Sequence, residues 1–328
     1  MTLDANTLER GLELTLDATD LSWLGRAYKG KVRDNYTTTD GRRFLVVTDR
    51  ISAFDRVLGT LPFKGQVLNQ LAAYWFGATK ALVPNHLLGV PDPNVMECVE
   101  CVPLDVEMVV RAYLTGVSST SILTAYDNGA REFCGHRLPE GLKPHERLPQ
   151  PILTPTTKAR DGAHDQNASR EQIIATGAVN AKDFDAAAAH AMALFRFGEK
   201  ACAARGLILV DTKYEFGKMP DGRIVVIDEI HTPDSSRFWY SKSYEERMGA
   251  GKTPESFDKE YVRRWLVDQN YRGEGTPPKI IDEVRLEAAR RYIEACDTIR
   301  GEPFVPNLEA PTARIEKNLR AAQKKASA

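Results

Sequence analysis

The sequence predicts an α+β fold in two lobes, and three observations carry that reading. Residues 1–110 read mostly as strands, at 43–48, 95–102 and 105–113, with one apolar-periodic helix at 69–80 closed before Pro84. Residues 184–205 form a long alanine-rich helix, with Asp183 as its N-cap and Gly206 beyond its end. A β-hairpin follows, then helices at 254–270 and 278–300. The stretch 127–170 between the halves is loop-rich and holds many of the prolines. A strand-rich lobe is therefore expected over 1–110, a mixed lobe over 111–302 and a tail over 303–328. The tail from 311 onward is basic and is expected to bury little surface. The competing view is that Ile315 and Leu319, four apart, form a docking stripe.

Composition narrows the function classes. The chain has 328 residues, of which 42% are hydrophobic and 27% charged, as in an ordinary globular protein. With 44 basic and 45 acidic residues the net charge is −1, which argues against nucleic acid or a membrane surface as a bulk partner. No apolar run is long enough to span a bilayer, and the N-terminus lacks a signal-peptide pattern. Five scattered cysteines do not make a disulfide framework, so the expectation is reduced thiols in a cytoplasmic protein. Cys98 and Cys101 form a lone C-x-x-C with no second pair at zinc spacing. Neither a Walker loop nor a dinucleotide fingerprint is present, and no nucleophile motif supports a hydrolytic triad around His164 and Asp165.

The chemistry concentrates in residues 207–239. Two branched and aromatic runs flank Asp221-Gly222, a hairpin signal. Asp211, Lys213 and Glu215 share one strand face. A two-residue turn would set Glu215 opposite Asp228, with Cβ atoms about 4.5–5.5 Å apart. Two such carboxylates repel unless a cation or a proton lies between them. With Lys213 beside them and Arg237 beyond, the arrangement suits Mg²⁺ and a polyanion; the plainer alternative is a surface hairpin with solvated charges. Three further segments accompany it. In Lys29-Gly30-Lys31-Val32-Arg33, glycine permits close backbone approach and the cations suit phosphate. Arg111 ends a strand that begins near Glu107 and precedes the hydroxyl run Ser118–Ser121, which suits phosphate or, equally, caps the following helix through Ser118 or Ser119. The third segment, 154–158, ends in Lys158.

These segments resemble one family, the SAICAR synthetases (phosphoribosylaminoimidazole-succinocarboxamide synthases) of de novo purine biosynthesis. The resemblance lies in YKGKVRD (28–34), TDRISAFD (48–55), VVRAYLTG (109–116), TPTTKA (154–159) with His164-Asp165, DTKYEFG (211–217) and IDEIHTPDSSRFW (227–239), in the family's order. It departs where Val117 follows Gly116, a position at which some relatives carry Ser. The resemblance implies a two-lobed fold related to protein kinase and ATP-grasp architectures, with ATP in the inter-lobe cleft. It implies ligation of L-aspartate to 5-amino-1-(5-phosphoribosyl)imidazole-4-carboxylate (CAIR), giving SAICAR, ADP and phosphate. Carried onto this chain, it implies Glu215 and Asp228 as Mg²⁺ ligands. Lys29, Gly30, Lys31 and Arg33 would cover the ATP phosphates, with Lys158 assisting and Glu107 near the adenosine. Asp211, Lys213 and Arg237 would be catalytic. Arg111, Ser118, Ser119, Asp165, Asp234, Ser236 and Arg263 would bind CAIR, and Asp49, Ser52 and Asp55 would bind aspartate. Two other classes are weighed: a kinase-like phosphotransferase that needs no aspartate, and a nucleotide-binding module without turnover. The residue pattern leaves the oligomeric state open.

Overall fold

A computed structural model describes residues 3–326 except 55, 117, 119, 159–165 and 257–259. The chain opens with helix α1 (Ala5–Arg10), capped by the Asp4 carboxylate on the Thr7 amide. Strands β1 (Arg26–Lys29), β2 (Arg33–Thr37) and β3 (Arg42–Val47) follow as an antiparallel meander. Strands β4 (Arg50–Ala53) and β5 (Arg56–Thr60) pair separately, and helix α2 (Lys64–Thr79) leads to β6 (Leu87–Asp92) and β7 (Val95–Val99). The last two complete a five-stranded sheet in the order β1-β2-β3-β7-β6.

Strand β8 (Val102–Tyr113) belongs wholly to a second sheet, so the chain changes sheets at residues 99–102. After it come α3 (Ile122–Asp127), the short hairpin β9 (Glu132–Phe133) and β10 (His136–Arg137), then β11 (Arg147–Leu153) and β12 (Thr156–Thr157). Helices α4 (Arg170–Ala175) and α5 (Ala181–Ala203) precede β13 (Leu207–Lys218), β14 (Ile224–Ile227) and β15 (Ser236–Tyr240). The second sheet runs β11-β8-β13-β14, with β12 also on β8 and β15 also on β13. Helices α6 (Ser241–Gly249), α7 (Glu260–Asp268), α8 (Asp282–Arg300) and α9 (Pro311–Ala326) close the chain.

One large core joins the two sheets. Helix α5 packs on β8, β13 and β14 through Phe184, Leu194 and Phe195, while α2 packs on α8 and β3 through Leu68, Leu71 and Trp75. Helix α5 starts earlier than expected because Asn180, not Asp183, is its cap: the Asn180 side chain accepts from the Asp183 amide. Helix α2 also begins earlier, at Lys64, whereas α7 and α8 begin later than expected, at Glu260 and Asp282.

The tail overturns the expectation of a loose terminus. Arg314 is buried, and it bonds both Asp92 oxygens at 3.0 and 3.2 Å and the Asn94 side chain at 2.5 Å. Ile315 and Leu319 are fully buried in a cluster with Tyr36, Phe44, Val46 and Val95 of the first sheet. The stripe reading was the correct one: two apolar side chains one turn apart suffice when the sheet face beneath them is apolar.

Candidate active site

The hairpin that carries the carboxylates is shifted by one residue from the expected register. Pro220, Asp221 and Gly222 make a three-residue loop: the Gly222 amide donates to Met219 O and the Met219 amide to Arg223 O, both at 2.9 Å. Gly222 adopts φ +87, open to glycine at no steric cost. The longer loop moves the pairing, so Glu215 faces Ile227 and not Asp228. Asp228 lies just beyond β14 with φ 68 in the left-handed region, and it still lines a common cavity with Glu215.

The residue directly opposite Glu215 is Glu107 of β8. Two opposed carboxylates repel, and Lys213 answers this: its Nζ donates to Glu215 at 2.6 Å and to Glu107 at 3.0 Å. Lys158 donates to the other Glu215 oxygen at 2.6 Å. Burial alone would favour the neutral amine of Lys213, but Glu215 and Glu107 overcome it and raise its pKa. Burial would also favour neutral Glu215, yet Lys213 and Lys158 prevail and hold it well below the usual carboxylate range. The Asp228 carboxyl is shifted the other way. Burial raises it, Arg33 opposes, and the nearby Glu215 and Glu229 add to the rise.

Arg33 has a different task from the expected phosphate cover. Its guanidinium is buried between Asp228 at 2.9 Å and Glu229 at 2.8 Å, tying the 28–34 turn to the carboxylate loop. The turn is closed by the Gly30 amide donating to Arg33 O at 2.8 Å, with Lys29 and Lys31 exposed upon it. Glu107 likewise sits mid-strand beside Lys213, with Thr156 donating to it at 3.3 Å.

Eight of the expected residues surround one cavity of about 260 Å³: Arg111, Ser118, Asp211, Lys213, Asp234, Ser236, Arg237 and Arg263. Asp211 links Arg237 at 2.5 Å and Arg111 at 3.3 Å, which fixes two guanidinium forks along the wall. Ser236 pairs with Thr212 at 2.7 Å. The helix cap in this region is Ser121, not the expected Ser118: it accepts from the Thr124 amide at 3.1 Å. Gly116 is required beside it, since a Cβ there would lie 2.5 Å from the Ser121 Cβ. Arg237 and Arg263 also border an adjoining cavity of about 510 Å³. A third, of about 70 Å³, lies where the sheets meet, lined by Val99, Cys101 and Pro103 with Glu215 and Asp228.

The TDRISAFD segment reaches the adjoining 510 Å³ cavity through Phe54, while its Asp49 has a structural task. Asp49 is buried, and its oxygens accept from the amides of Leu16 at 2.6 Å and Gly65 at 2.7 Å, so its carboxylate holds backbone together. Ser52 is half-buried on β4, away from the cavity of Arg111 and Asp211. Asp55, Ser119 and Asp165 lie outside the described residues. Sequence reasoning missed three groups. Glu229 shares Arg33; Lys64, fully buried, donates to Asp234 at 2.8 Å; and Tyr292 donates to the other Asp234 oxygen at 2.7 Å. Lys64 carried a signal, a cation opening an otherwise apolar helix.

Paired cation forks facing a polar cavity, next to a half-buried row of alternating charges, define an α+β enzyme built to handle phosphate and carboxylate groups. The chain belongs to the SAICAR synthetase family, whose sequence profile matches residues 26–279. It is 49% identical over 294 residues to a putative phosphoribosylaminoimidazole-succinocarboxamide synthase 2 of Mesorhizobium japonicum, covering 89% of this chain and 94% of that one. It is 48% identical over 283 residues to the phosphoribosylaminoimidazole-succinocarboxamide synthase of Legionella pneumophila, strain Lens, covering 86% and 89%. Among solved structures, SAICAR synthase from Saccharomyces cerevisiae complexed with SAICAR superposes with a TM-score of 0.76 at 28% identity, over 89% of this chain and all of that one. A SAICAR synthetase in complex with ADP superposes with a TM-score of 0.64 at 25% identity, over 86% and 100%. The activity is ATP-dependent ligation of L-aspartate to CAIR, a step of purine biosynthesis. No helix among the described residues is long and apolar enough to cross a membrane.

Proposed function

We propose a division of labour along the site, with ATP between the two sheets and CAIR in the 260 Å³ cavity. The observation that carries it is the convergence of Arg111, Asp211, Lys213 and Arg237 on that cavity, one strand face from Glu215. Lys31, on the glycine turn, would meet the phosphates. Such an arrangement is kinase-like in outline. Glu215 and Asp228 would hold Mg²⁺. Two half-buried carboxylates lining one cavity fit an ion that is usually bound by one or two carboxylates plus substrate phosphates. Bound Mg²⁺ would spread the negative charge of the phosphates.

A carboxylate is a poor electrophile, so ATP must supply a leaving group. A CAIR carboxylate oxygen attacks the γ-phosphorus, ADP departs, and the aspartate amine then displaces phosphate from the acyl phosphate with loss of a proton. Lys213, kept charged by Glu215 and Glu107, stabilises the anion that develops between CAIR and ATP. The Arg111 and Arg237 forks, set by Asp211, orient CAIR. Purified protein should release ADP only when CAIR and L-aspartate are both supplied. Release with CAIR alone, at the full rate, would show phosphoryl transfer that ends there.

Arg237→Lys should impair CAIR use far more than ATP use. An ammonium cannot reproduce a two-point grip, so a loss of roughly tenfold or more in kcat/KM for CAIR is expected, with KM for ATP little changed. An equal loss for both substrates would move Arg237 out of the CAIR site.

A further inference from the structure

We propose that Arg50 is a positioning residue for the nucleotide: it holds the 28–34 turn so that successive backbone amides face the phosphates of ATP. This rests on the reading of that turn as the ATP-phosphate site. Arg50 is buried, and its guanidinium is directed at backbone. Its Nε donates to Lys31 O at 2.9 Å, Nη2 to Gly30 O at 3.0 Å and to Asp34 at 2.9 Å, and Nη1 to Asp17 O. The next carbonyl, Val32 O, accepts from the Thr48 amide at 3.1 Å and the Thr48 hydroxyl at 2.8 Å. Three consecutive carbonyls are thus drawn towards one short segment, Thr48 to Arg50.

The described backbone has no cis peptide, and in a planar trans peptide the C=O and the following N–H point in opposite directions. With the carbonyls of Gly30, Lys31 and Val32 held inward, the N–H groups of Lys31, Val32 and Arg33 are turned to the opposite side. Amides whose peptide planes are held in fixed directions offer donors to an anion without reorganisation. The inner end of the device is fixed as well: Asp34 is fully buried and accepts from the Thr19 amide at 2.7 Å and the Thr19 hydroxyl at 3.0 Å. A fork with five donors can hold three carbonyls and a carboxylate at once; an ammonium on a flexible stem cannot hold the same geometry.

The test uses the full chain with Arg50→Lys, and Thr48→Val as the milder second variant. Binding of ADP and of adenosine is measured by titration calorimetry, alongside KM for ATP and for CAIR. The expected result is a loss of ADP affinity on the order of tenfold for Arg50→Lys and a smaller loss for Thr48→Val, since each weakens charge-assisted or polar support of the amides. Adenosine affinity and KM for CAIR should stay within about twofold, because neither ligand meets the amides. Equal losses for ADP and adenosine would mean general destabilisation and would overturn the proposal. Lys31→Ala separates the proposal from its premise. If Lys31→Ala weakens ADP while folded Arg50 and Thr48 variants do not, Arg50 has no positioning role and the turn keeps its own. If Lys31→Ala also leaves ADP untouched, the turn is not the phosphate site. Should Arg50→Lys fail to fold, the ADP-to-adenosine ratio of Thr48→Val decides.

Discussion

Asp228→Asn is expected to remove most activity, with kcat/KM falling on the order of 10²–10³-fold, and to leave the fold intact. Losing one of two metal carboxylates should cost roughly 3–4 kcal/mol of transition-state charge stabilisation. The fold should survive because Asp228 sits at φ 68, a left-handed conformation that Asn also adopts readily. Arg33 keeps its second carboxylate, Glu229. Glu215→Gln should act alike, although it also leaves Lys158 and Lys213 less neutralised. Aspartate-dependent ADP release across a Mg²⁺ series, with a thermal melt of each variant, measures both halves. A folded variant with near-normal turnover at ordinary Mg²⁺ would refute the metal assignment.

Arg314→Ala should destabilise the protein by roughly 3–5 kcal/mol, because it leaves Asp92 buried without its cation. Asp92 is 0% exposed as a side chain and Arg314 only 1%, so solvent cannot take over the pairing. Removing residues 311–328 should be more severe, since it also uncovers the Ile315 and Leu319 seat on Tyr36 and Phe44. Urea titration of the substitution variant, with substrate-saturated turnover, checks this. An unchanged midpoint would mean that Asn318, which donates to Asp92 at 2.7 Å, and the Asn94 amide compensate by themselves.

Much of the site was legible because strand periodicity and short motifs carry it. The face Asp211–Lys213–Glu215 follows from alternation along β13, and the family resemblance ordered the rest. The register was not legible, because Pro220 and Gly222 favour a three-residue loop that a bare Asp-Gly signal does not distinguish from a two-residue one. Nor could spacing tell that Asp49 and Arg50 face backbone while Asp211 and Arg237 face a cavity. Identical residue types serve both ends, and only tertiary placement separates them. Helix α9 was misjudged because a two-residue stripe is a weak pattern; its anchor, Arg314, is a buried arginine in a segment that reads as polar.

The pairing of Glu107 with Glu215 across β8 and β13 constrains how this site can change over generations. Lys213 stands between the two acids, so replacing any one of the three strands the charge of the others in a poorly solvated place. Single replacements there should carry a stability cost on top of the loss of chemistry, even where the chain still folds. Drift would have to pass through paired replacements, such as Glu107→Gln together with Lys213→Met, whose combined effect on stability should be smaller than the sum of the separate ones. The trio is therefore inherited as one character, and the route to a new substrate at this end of the site is narrow.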